Sequence, residues 1–151
     1  MTATATAARP MTQAEIKQLA ADWYKKLDVH APLVEVLPML AEDGLEMRFP
    51  EATLRGAAEF EGWYEGVIRI FFDEVHALKQ VKVKNTAEGA DVTVVVHWEA
   101  SVWKTPAANS QRIVLDAYQT WKVVRSERTG KPVIATYIVD RLDFAPGSAQ
   151  L

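Results

Sequence analysis

The second half of this sequence contains four long stretches in which apolar and more polar residues alternate, and this feature limits the folds that the chain can adopt. The clearest stretch carries Val92, Val94, Val96 and Trp98 at every second position. A period of two is typical of a β-strand with one buried face. The four stretches cover residues 74–84, 91–104, 111–125 and 133–144. Because antiparallel strands of this length twist and coil, we expect the sheet to wrap around whatever packs against it.

A capping box predicts the start of the first helix. Thr12 and Glu15 have the Thr-x-x-Glu spacing that satisfies free amide groups at a helix start. Tyr24 lies at the edge of the apolar stripe that follows. The residues of that stripe recur at helical spacing and are Ile16, Leu19, Ala20, Trp23 and Leu27.

Two further helices and a short strand are predicted before the sheet. Pro32 suits the first turn of a second helix, and Pro38 breaks or kinks that helix. Residues 45–49 alternate as a short strand that Pro50 closes, and a third helix follows Gly56. The third helix has a broad aromatic stripe, made of Phe60, Trp63, Tyr64, Val67, Ile68, Phe71 and Phe72. Helices that precede a curved sheet fill its concave side, so the predicted fold is α+β, with N-terminal helices packed on a strongly curved, mainly antiparallel sheet around a pocket.

The composition favours one globular domain and argues against several classes of function. A chain of 151 residues with 49% hydrophobic content is long enough to bury a single core. We expect a disordered arm over residues 1–11, one domain over residues 12–144 and a loose tail over residues 145–151. The net charge of −3 and the lack of a basic run give no reason to expect nucleic-acid binding. No apolar run approaches the roughly 20 residues that a membrane span needs, so we expect no membrane association.

The cysteine and histidine content limits the chemistry further. The sequence has no cysteine, which excludes disulfides and thiol catalysis and fits a cytoplasmic location. His30, His76 and His97 lie on separate elements without metal-ligand spacing, so we expect no metal site. Phosphate loops and nucleotide fingerprints are absent from the sequence, and we expect no cofactor.

The order of elements resembles the nuclear transport factor 2-like superfamily, which has a cystatin-like fold. The most recognisable segment is Met39-Leu40-Ala41-Glu42-Asp43-Gly44-Leu45-Glu46-Met47-Arg48-Phe49-Pro50, followed by Leu54-Arg55-Gly56 and an aromatic-rich helix. The resemblance covers residues 12–144 and is similar to the branch that contains SnoaL-like cyclases, ketosteroid isomerase and scytalone dehydratase. It implies a cone with an apolar pocket for a small hydrophobic ligand, and a homodimer through the outer face of the sheet. Since one such scaffold supports many functions, the residues must decide the chemistry.

The resemblance gives Tyr24 and Asp116 candidate catalytic roles. Tyr24 matches the helix-one tyrosine that ketosteroid isomerase uses to stabilise an oxyanion, while the alternative is an amphipathic tyrosine bonded to water or backbone. Asp116 lies in an apolar strand, and burial there would raise its pKa and suit it to acid–base work. The alternative for Asp116 is an outward-facing carboxylate paired with Arg112 or Lys122.

His97 is the third catalytic candidate, because a histidine exchanges protons near physiological pH. If its strand pairs with that of Asp116, a His–Asp couple across the sheet would resemble a proton-transferring dyad; the alternative is a structural or surface histidine. His76 is a weaker candidate, similar to a pocket histidine of scytalone dehydratase.

One position departs from ketosteroid isomerase. That enzyme has its catalytic base just before the proline, where this chain has Phe49, and a phenyl ring cannot take a proton. We therefore expect Phe49, Trp63 and Tyr118 to form apolar walls of the pocket. The sequence predicts a cofactor-free isomerase, cyclase or dehydratase acting on a hydrophobic ring compound. The other hypothesis is a non-catalytic ligand-binding, dimerisation or accessory module, with the row from Val92 to Trp98 buried against a second copy.

Overall fold

The computed structural model describes residues 10–151, so most of the predicted N-terminal arm lies outside the described residues. Its elements are α1 (Gln13–Asp28), α2 (Leu33–Val36), a 3-10 helix (Leu37–Met39), β1 (Glu46–Arg48), β2 (Thr53–Arg55), α3 (Gly56–Ile70), β3 (Phe71–Asn85), β4 (Ala90–Val102), β5 (Gln111–Arg125) and β6 (Pro132–Phe144). Within these residues, no helix has the length and apolar character needed to cross a membrane.

The strands form a six-stranded sheet in the order β2-β1-β6-β5-β4-β3. Each neighbouring pair is antiparallel except β1 with β6, which is parallel. Helices pack on the concave face of this curved, unclosed sheet. The predicted fold class, α+β with N-terminal helices on a curved and mainly antiparallel sheet, is confirmed.

The first helix begins where its sequence predicts. The Thr12 hydroxyl accepts a hydrogen bond from the amide of Glu15 at 3.0 Å, and the Glu15 carboxylate accepts one from the Thr12 amide at 3.4 Å. The buried residues of α1 include the predicted stripe from Ile16 to Trp23, and Tyr24 is buried with them. Helix α1 therefore contributes Tyr24 to the core rather than to an edge.

The helices α2 and α3 end for different physical reasons. Helix α2 ends at Val36 and tightens into a 3-10 helix that contains Pro38, as expected for an imino acid that cannot donate to the helix. Phe71 and Phe72, predicted for the third helix, instead begin β3. They pair with Val102 and Ser101 of β4, so strand pairing replaces a further helical turn.

The register of β4 determines which face its side chains occupy. Val92, Val94 and Val96 are at most 1% exposed and point toward the helices. The row from Val92 to Trp98 therefore belongs to the concave side and cannot bury against a second copy, contrary to the sequence-based interpretation. Apolar residues occupy positions on both faces of β4, including the largely buried Val95, so alternation alone did not identify the inner face.

The segment after β6 lies along β5. The amide of Ala145 donates to the carbonyl of Val114 at 2.9 Å, and the amide of Ala149 donates to the carbonyl of Arg112 at 3.0 Å. These hydrogen bonds anchor part of the stretch predicted to be a loose tail.

Candidate active site

A cavity of about 520 Å³ lies between the helices and the concave face of the sheet. Its walls are mainly apolar, which suits a small hydrophobic ligand. The aromatic residues that line it are Phe49, Trp63, Tyr64, Phe71, Trp98 and Tyr137. The other polar side chains that line it are Glu51, Glu74, His76 and Gln119.

Two of the three predicted wall residues lie in this cavity. The rings of Phe49 and Trp63 stack with their centroids 4.1 Å apart and their planes 16° from parallel. The Trp63 indole also donates to the Glu51 carboxylate at 3.1 Å, which fixes the ring's orientation. The pair forms a flat surface on which a planar ligand can stack.

The third predicted wall residue, Tyr118, lies on the opposite face of the sheet and does not line the cavity. The Arg141 guanidinium lies 4.0 Å from the centre of the Tyr118 ring. The residues before and after it on β5, Ala117 and Gln119, line the cavity, and alternation turns Tyr118 outward.

His97 and Asp116 form the predicted couple, but on the outer face of the sheet. They are opposite each other in the β4–β5 ladder, with Nδ1 2.8 Å from Oδ1, while the neighbouring pair Trp98 and Leu115 lines the cavity. The expected convergence of His97 and Asp116 with Tyr24 in one cavity is therefore absent. The outward-facing alternative describes Asp116 correctly, although its cationic partner is Lys79, at 2.9 Å, rather than Arg112 or Lys122.

The charges around this outer couple oppose the role expected of Asp116. Hydrogen bonds from Lys79 and then from His97 lower the Asp116 pKa, which is the reverse of the rise predicted from burial. Hydrogen bonds to Glu99, at 2.9 Å from Nε2, and to Asp116 raise the pKa of His97. The imidazole is thus favoured as a cation between two carboxylates.

Tyr24 lies behind the cavity wall rather than in it. Its hydroxyl donates to Oε1 of Gln119 at 2.8 Å and lies 3.2 Å from the hydroxyl of Tyr137. Gln119 and Tyr137 line the cavity, whereas Tyr24 does not. Burial holds the pKa of Tyr24 well above its usual value, so the phenol stays protonated.

A different histidine–carboxylate pair lies at the cavity wall, with His76 lining the cavity and Asp28 bonded to it from outside the lining. His76 on β3 has Nδ1 2.6 Å from Oδ1 of Asp28, and its backbone amide donates to Oδ2 of the same carboxylate at 3.1 Å. The imidazole also stacks with the rings of Tyr24 and Trp98, at centroid distances of 4.8 and 5.9 Å. One hydrogen bond and two ring contacts therefore fix the His76 ring at the cavity wall, and a second hydrogen bond holds its backbone to the same carboxylate.

Sequence reasoning missed Asp28, although a signal was present. An aspartate in the last turn of a helix interacts unfavourably with the negative end of the helix dipole, so its presence indicates a tertiary role. Asp28 is also four residues after Tyr24, which places both side chains on the same side of α1.

Glu74 enters the cavity through an irregularity in β3. The register shifts between Phe72 and Val75, and Asp73 has a left-handed φ of 50°. Such a bulge redirects a side chain, and here Glu74 lines the cavity. Its Oε1 accepts from the Trp98 indole at 3.0 Å and its Oε2 bonds to Nε2 of His30. No alternating pattern in the sequence signals this insertion.

Over residues 10–151, no group of three or more histidine, aspartate, glutamate or cysteine side chains is arranged to hold a metal ion.

Comparisons with known proteins identify the fold. No protein-family model and no curated protein matches the sequence. Among solved structures, a candidate aromatic ring hydroxylase from Novosphingobium aromaticivorans superimposes with a TM-score of 0.73 and 15% identity, over 87% of this chain and 92% of that chain. A candidate scytalone dehydratase from the same organism gives a TM-score of 0.64 and 15% identity, over 91% and 88% of the two chains. A nuclear transport factor 2-like protein from Salmonella enterica gives 0.62 and 12% identity, over 91% of each chain.

These similarities show the fold, which is α+β and of the nuclear transport factor 2-like, cystatin-like type. Sequence identities of this size show the fold alone, and the chemistry depends on the residues of the cavity.

Proposed function

We propose that this protein is a cofactor-free acid–base enzyme that isomerises, cyclises or dehydrates a hydrophobic ring compound. The observation that carries the proposal is the Asp28–His76 pair at the wall of an otherwise mainly apolar cavity. The names of the two Novosphingobium structures, which refer to ring-compound chemistry, support the same substrate class.

The hydrogen bonds to Asp28 determine which nitrogen of His76 does the chemistry. An ionised carboxylate only accepts hydrogen bonds, so the proton of a neutral His76 resides on Nδ1. The lone pair is then on Nε2, which has no hydrogen-bond partner among the described residues. In this arrangement Asp28 orients the ring and stabilises the cation that forms when Nε2 accepts a proton.

The aromatic residues of the cavity would position the substrate against this base. The parallel rings of Phe49 and Trp63 offer a stacking surface, and the apolar strand residues Val96 and Leu115 exclude water from the reacting carbon. His76 would remove a proton from a carbon next to a carbonyl group. It would return the proton to a second carbon in an isomerisation, or to the departing hydroxyl group, which leaves as water, in a dehydration. This transfer needs no cofactor.

Proton exchange tests the proposal without knowledge of the natural substrate. In deuterated buffer, the wild-type protein should catalyse exchange of the α-protons of 1-indanone or 1-tetralone, followed by NMR. His76→Gln should lower the exchange rate by about 100-fold or more, and Asp28→Asn should lower it less because the base remains. The matched controls are His97→Gln and Asp116→Asn, which alter a similar pair outside the cavity and should leave exchange unchanged.

Two outcomes would contradict this proposal. Exchange that is no faster than in buffer would favour the alternative, a ligand-binding or accessory module that uses the same cavity without catalysis. Exchange that depends on His97 and Asp116 but not on His76 would mean that the reaction takes place on the outer face of the sheet.

Self-association through the outer face also remains a proposal. The surface available for it carries the exposed side chains of Phe72 and Val75, which are 41% and 49% exposed, beside the charged residues around His97. Sedimentation velocity at micromolar concentration tests it: a monomer in both wild type and Phe72→Ser would exclude a dimer at this face.

A further inference from the structure

Gln119 on β5 is a buried polar side chain at the cavity wall. Only 4% of the residue is exposed, and it lines the cavity together with the apolar residues Ala117 and Val139. A buried carboxamide is costly unless its donors and acceptor are satisfied, so the hydrogen bonds around Gln119 indicate what it does.

The orientation of the amide follows from its neighbours. The Trp121 indole donates to the amide at 2.9 Å, and an indole N–H can only donate. The atom it contacts is therefore the carbonyl oxygen, Oε1, and the opposite flip would place two donors together. The Tyr24 hydroxyl donates to the same oxygen at 2.8 Å, so both lone pairs of Oε1 are used.

The hydroxyl protons of Tyr24 and Tyr137 both point in the direction of the Gln119 oxygen. Because the proton of Tyr24 goes to Gln119, Tyr24 can only accept from the hydroxyl of Tyr137, 3.2 Å away. The chain Tyr137 to Tyr24 to Gln119 polarises the carboxamide in one direction and strengthens its N–H groups as donors. Neither phenol has a proton left for a ligand.

The amide nitrogen of Gln119 ends this chain and carries two N–H groups. One of them interacts with the Tyr137 oxygen, since burial raises the pKa of Tyr137 and a hydrogen bond from Gln119 acts to lower it. Within residues 10–151, no other oxygen is recorded as an acceptor for Nε2. Nε2 is also not sealed inside the core. Among the described residues, the fully buried side-chain polar atom without a partner is the indole nitrogen of Trp23. Since the residue lines the cavity, the second N–H group is available to whatever occupies it.

We infer that Gln119 is the residue that selects the ligand, by donating from Nε2 to a carbonyl oxygen on the ring compound. The ligand class is then a cyclic ketone or a related ring carbonyl, held with its oxygen at Gln119 and its hydrocarbon body on the aromatic wall. A ligand that offers only a donor at this position would face another donor and bind poorly.

This inference deepens the proposed function and rests on it for its chemical meaning. Tyr24 stacks on His76 at 4.8 Å and bonds to Gln119 at 2.8 Å, so the base and the donor are separated by about one tyrosine side chain. When His76 takes the α-proton, the C–H electron pair forms a carbon–carbon double bond and the carbonyl pair moves to oxygen. The charge that develops there is stabilised by the N–H of Gln119, and reprotonation by His76 at carbon restores the ketone.

Matched pairs of probes test the inference through binding alone. The affinities of 1-indanone, 1-tetralone and 9-fluorenone are compared with those of indane, tetralin and fluorene by calorimetry. A neutral hydrogen bond to the carbonyl should make each ketone bind about 2- to 12-fold more tightly than its hydrocarbon. Gln119→Met should remove this preference, whereas the control Gln80→Met, an exposed position on β3, should retain it.

A second readout uses only the wild-type protein, in case Gln119→Met does not fold. The carbonyl stretching band of bound 9-fluorenone should shift to lower frequency than in a hydrocarbon solvent, and the Gln119 side-chain N–H signals should move with the ketone but not with fluorene. Equal affinities for ketone and hydrocarbon, an unshifted carbonyl band, or a preference that survives in Gln119→Met would overturn the inference. If Gln119→Met loses the ketone preference but the wild-type protein shows no α-proton exchange, Gln119 is supported as the selecting residue and the catalytic proposal is refuted. If the wild-type protein shows His76-dependent exchange but no ketone preference, the catalytic proposal is supported and the inference about Gln119 is refuted.

Discussion

His97 and Asp116 lie opposite each other on β4 and β5, with Nδ1 2.8 Å from Oδ1, on the face of the sheet turned away from the cavity. The pair is the centre of a line of alternating charge. Lys79 contacts Asp116 at 2.9 Å on one side, and Glu99 contacts His97 at 2.9 Å on the other. Arg112 ends the line, 3.5 Å from Glu99. The arrangement favours a charged imidazole at the protein surface.

We predict that this pairing makes stability depend on pH around the titration of His97. Glu99 and then Asp116 raise the His97 pKa above its ordinary 6.5, so the stabilising contribution is complete below pH 6.5 and is lost as pH rises through the folded-state value. Hydrogen bonds from His97 lower the Glu99 pKa from 4.5, and that contribution is lost as pH falls through the lowered value. The urea midpoint of the wild-type protein should therefore exceed that of His97→Gln most clearly between pH 4.5 and pH 6.5.

Two measurements check this window. An NMR titration of the His97 ring should give a pKa above 6.5, which Glu99→Gln should lower. Glu88→Gln, in the exposed turn before β4, is the matched control and should leave the titration unchanged. A His97 ring that titrates below its ordinary value, or an advantage over His97→Gln that grows above neutral pH, would refute the prediction.

The outer location of this pair shows what alternation can and cannot predict. The period of two located β4 and β5 within a few residues, because the strand pattern is strong over that length. The period does not show which face of a strand is buried, because a register shift of one residue turns every side chain to the opposite face of the sheet. Val95 is buried on the same face as His97, so hydrophobicity did not settle the choice.

The residues in the cavity depended on contacts between distant segments. Asp28 meets His76 only because the end of α1 packs on the start of β3, 48 positions later in the chain. Glu74 faces inward only because of a register shift that no local pattern marks. Phe49 and Trp63 were accessible to sequence reasoning because both follow from the short strand and the aromatic helix that the resemblance places around a pocket.

The loop between β3 and β4 gives a prediction about backbone contact. A Cβ added at Gly89 would lie 2.1 Å from the carbonyl oxygen of Val123, so Gly89→Ala must displace β5 and should destabilise the protein by about 1–3 kcal/mol. Gly66, within α3, has nothing within 4 Å of the corresponding position. Gly66→Ala should instead stabilise the helix by about 0.5–1 kcal/mol. Urea denaturation measures both, and a destabilising Gly66→Ala or a neutral Gly89→Ala would contradict the structure.

The stacked pair at the cavity wall predicts a loss of ligand affinity. Trp63→Leu removes the ring that stacks on Phe49 and should weaken 1-tetralone binding by about 2- to 12-fold, since an aromatic contact contributes about 0.5–1.5 kcal/mol. Trp103 is 53% exposed and bonds to the carbonyl of Ala107, so Trp103→Leu is the control that should bind normally. Calorimetry compares the two, and equal affinities would remove Trp63 from the binding surface.

The order of the phenol protons predicts unequal costs for two similar substitutions. Tyr24 both donates to Gln119 and accepts from Tyr137, so Tyr24→Phe leaves the buried Tyr137 proton without an acceptor. An unsatisfied buried donor costs about 1–3 kcal/mol.

Tyr137→Phe removes only the last donor of the chain and should cost less, about 0.5–1.5 kcal/mol, because Tyr24 keeps its bond to Gln119. Urea denaturation of the two variants at one pH gives the comparison, and the double variant shows how strongly the two hydroxyls are coupled. If Tyr137→Phe were the more costly change, the protons would have to run in the opposite direction. The Gln119 oxygen would then lose its second donor, and the polarisation that makes Nε2 a strong donor to a ring carbonyl would be lost with it.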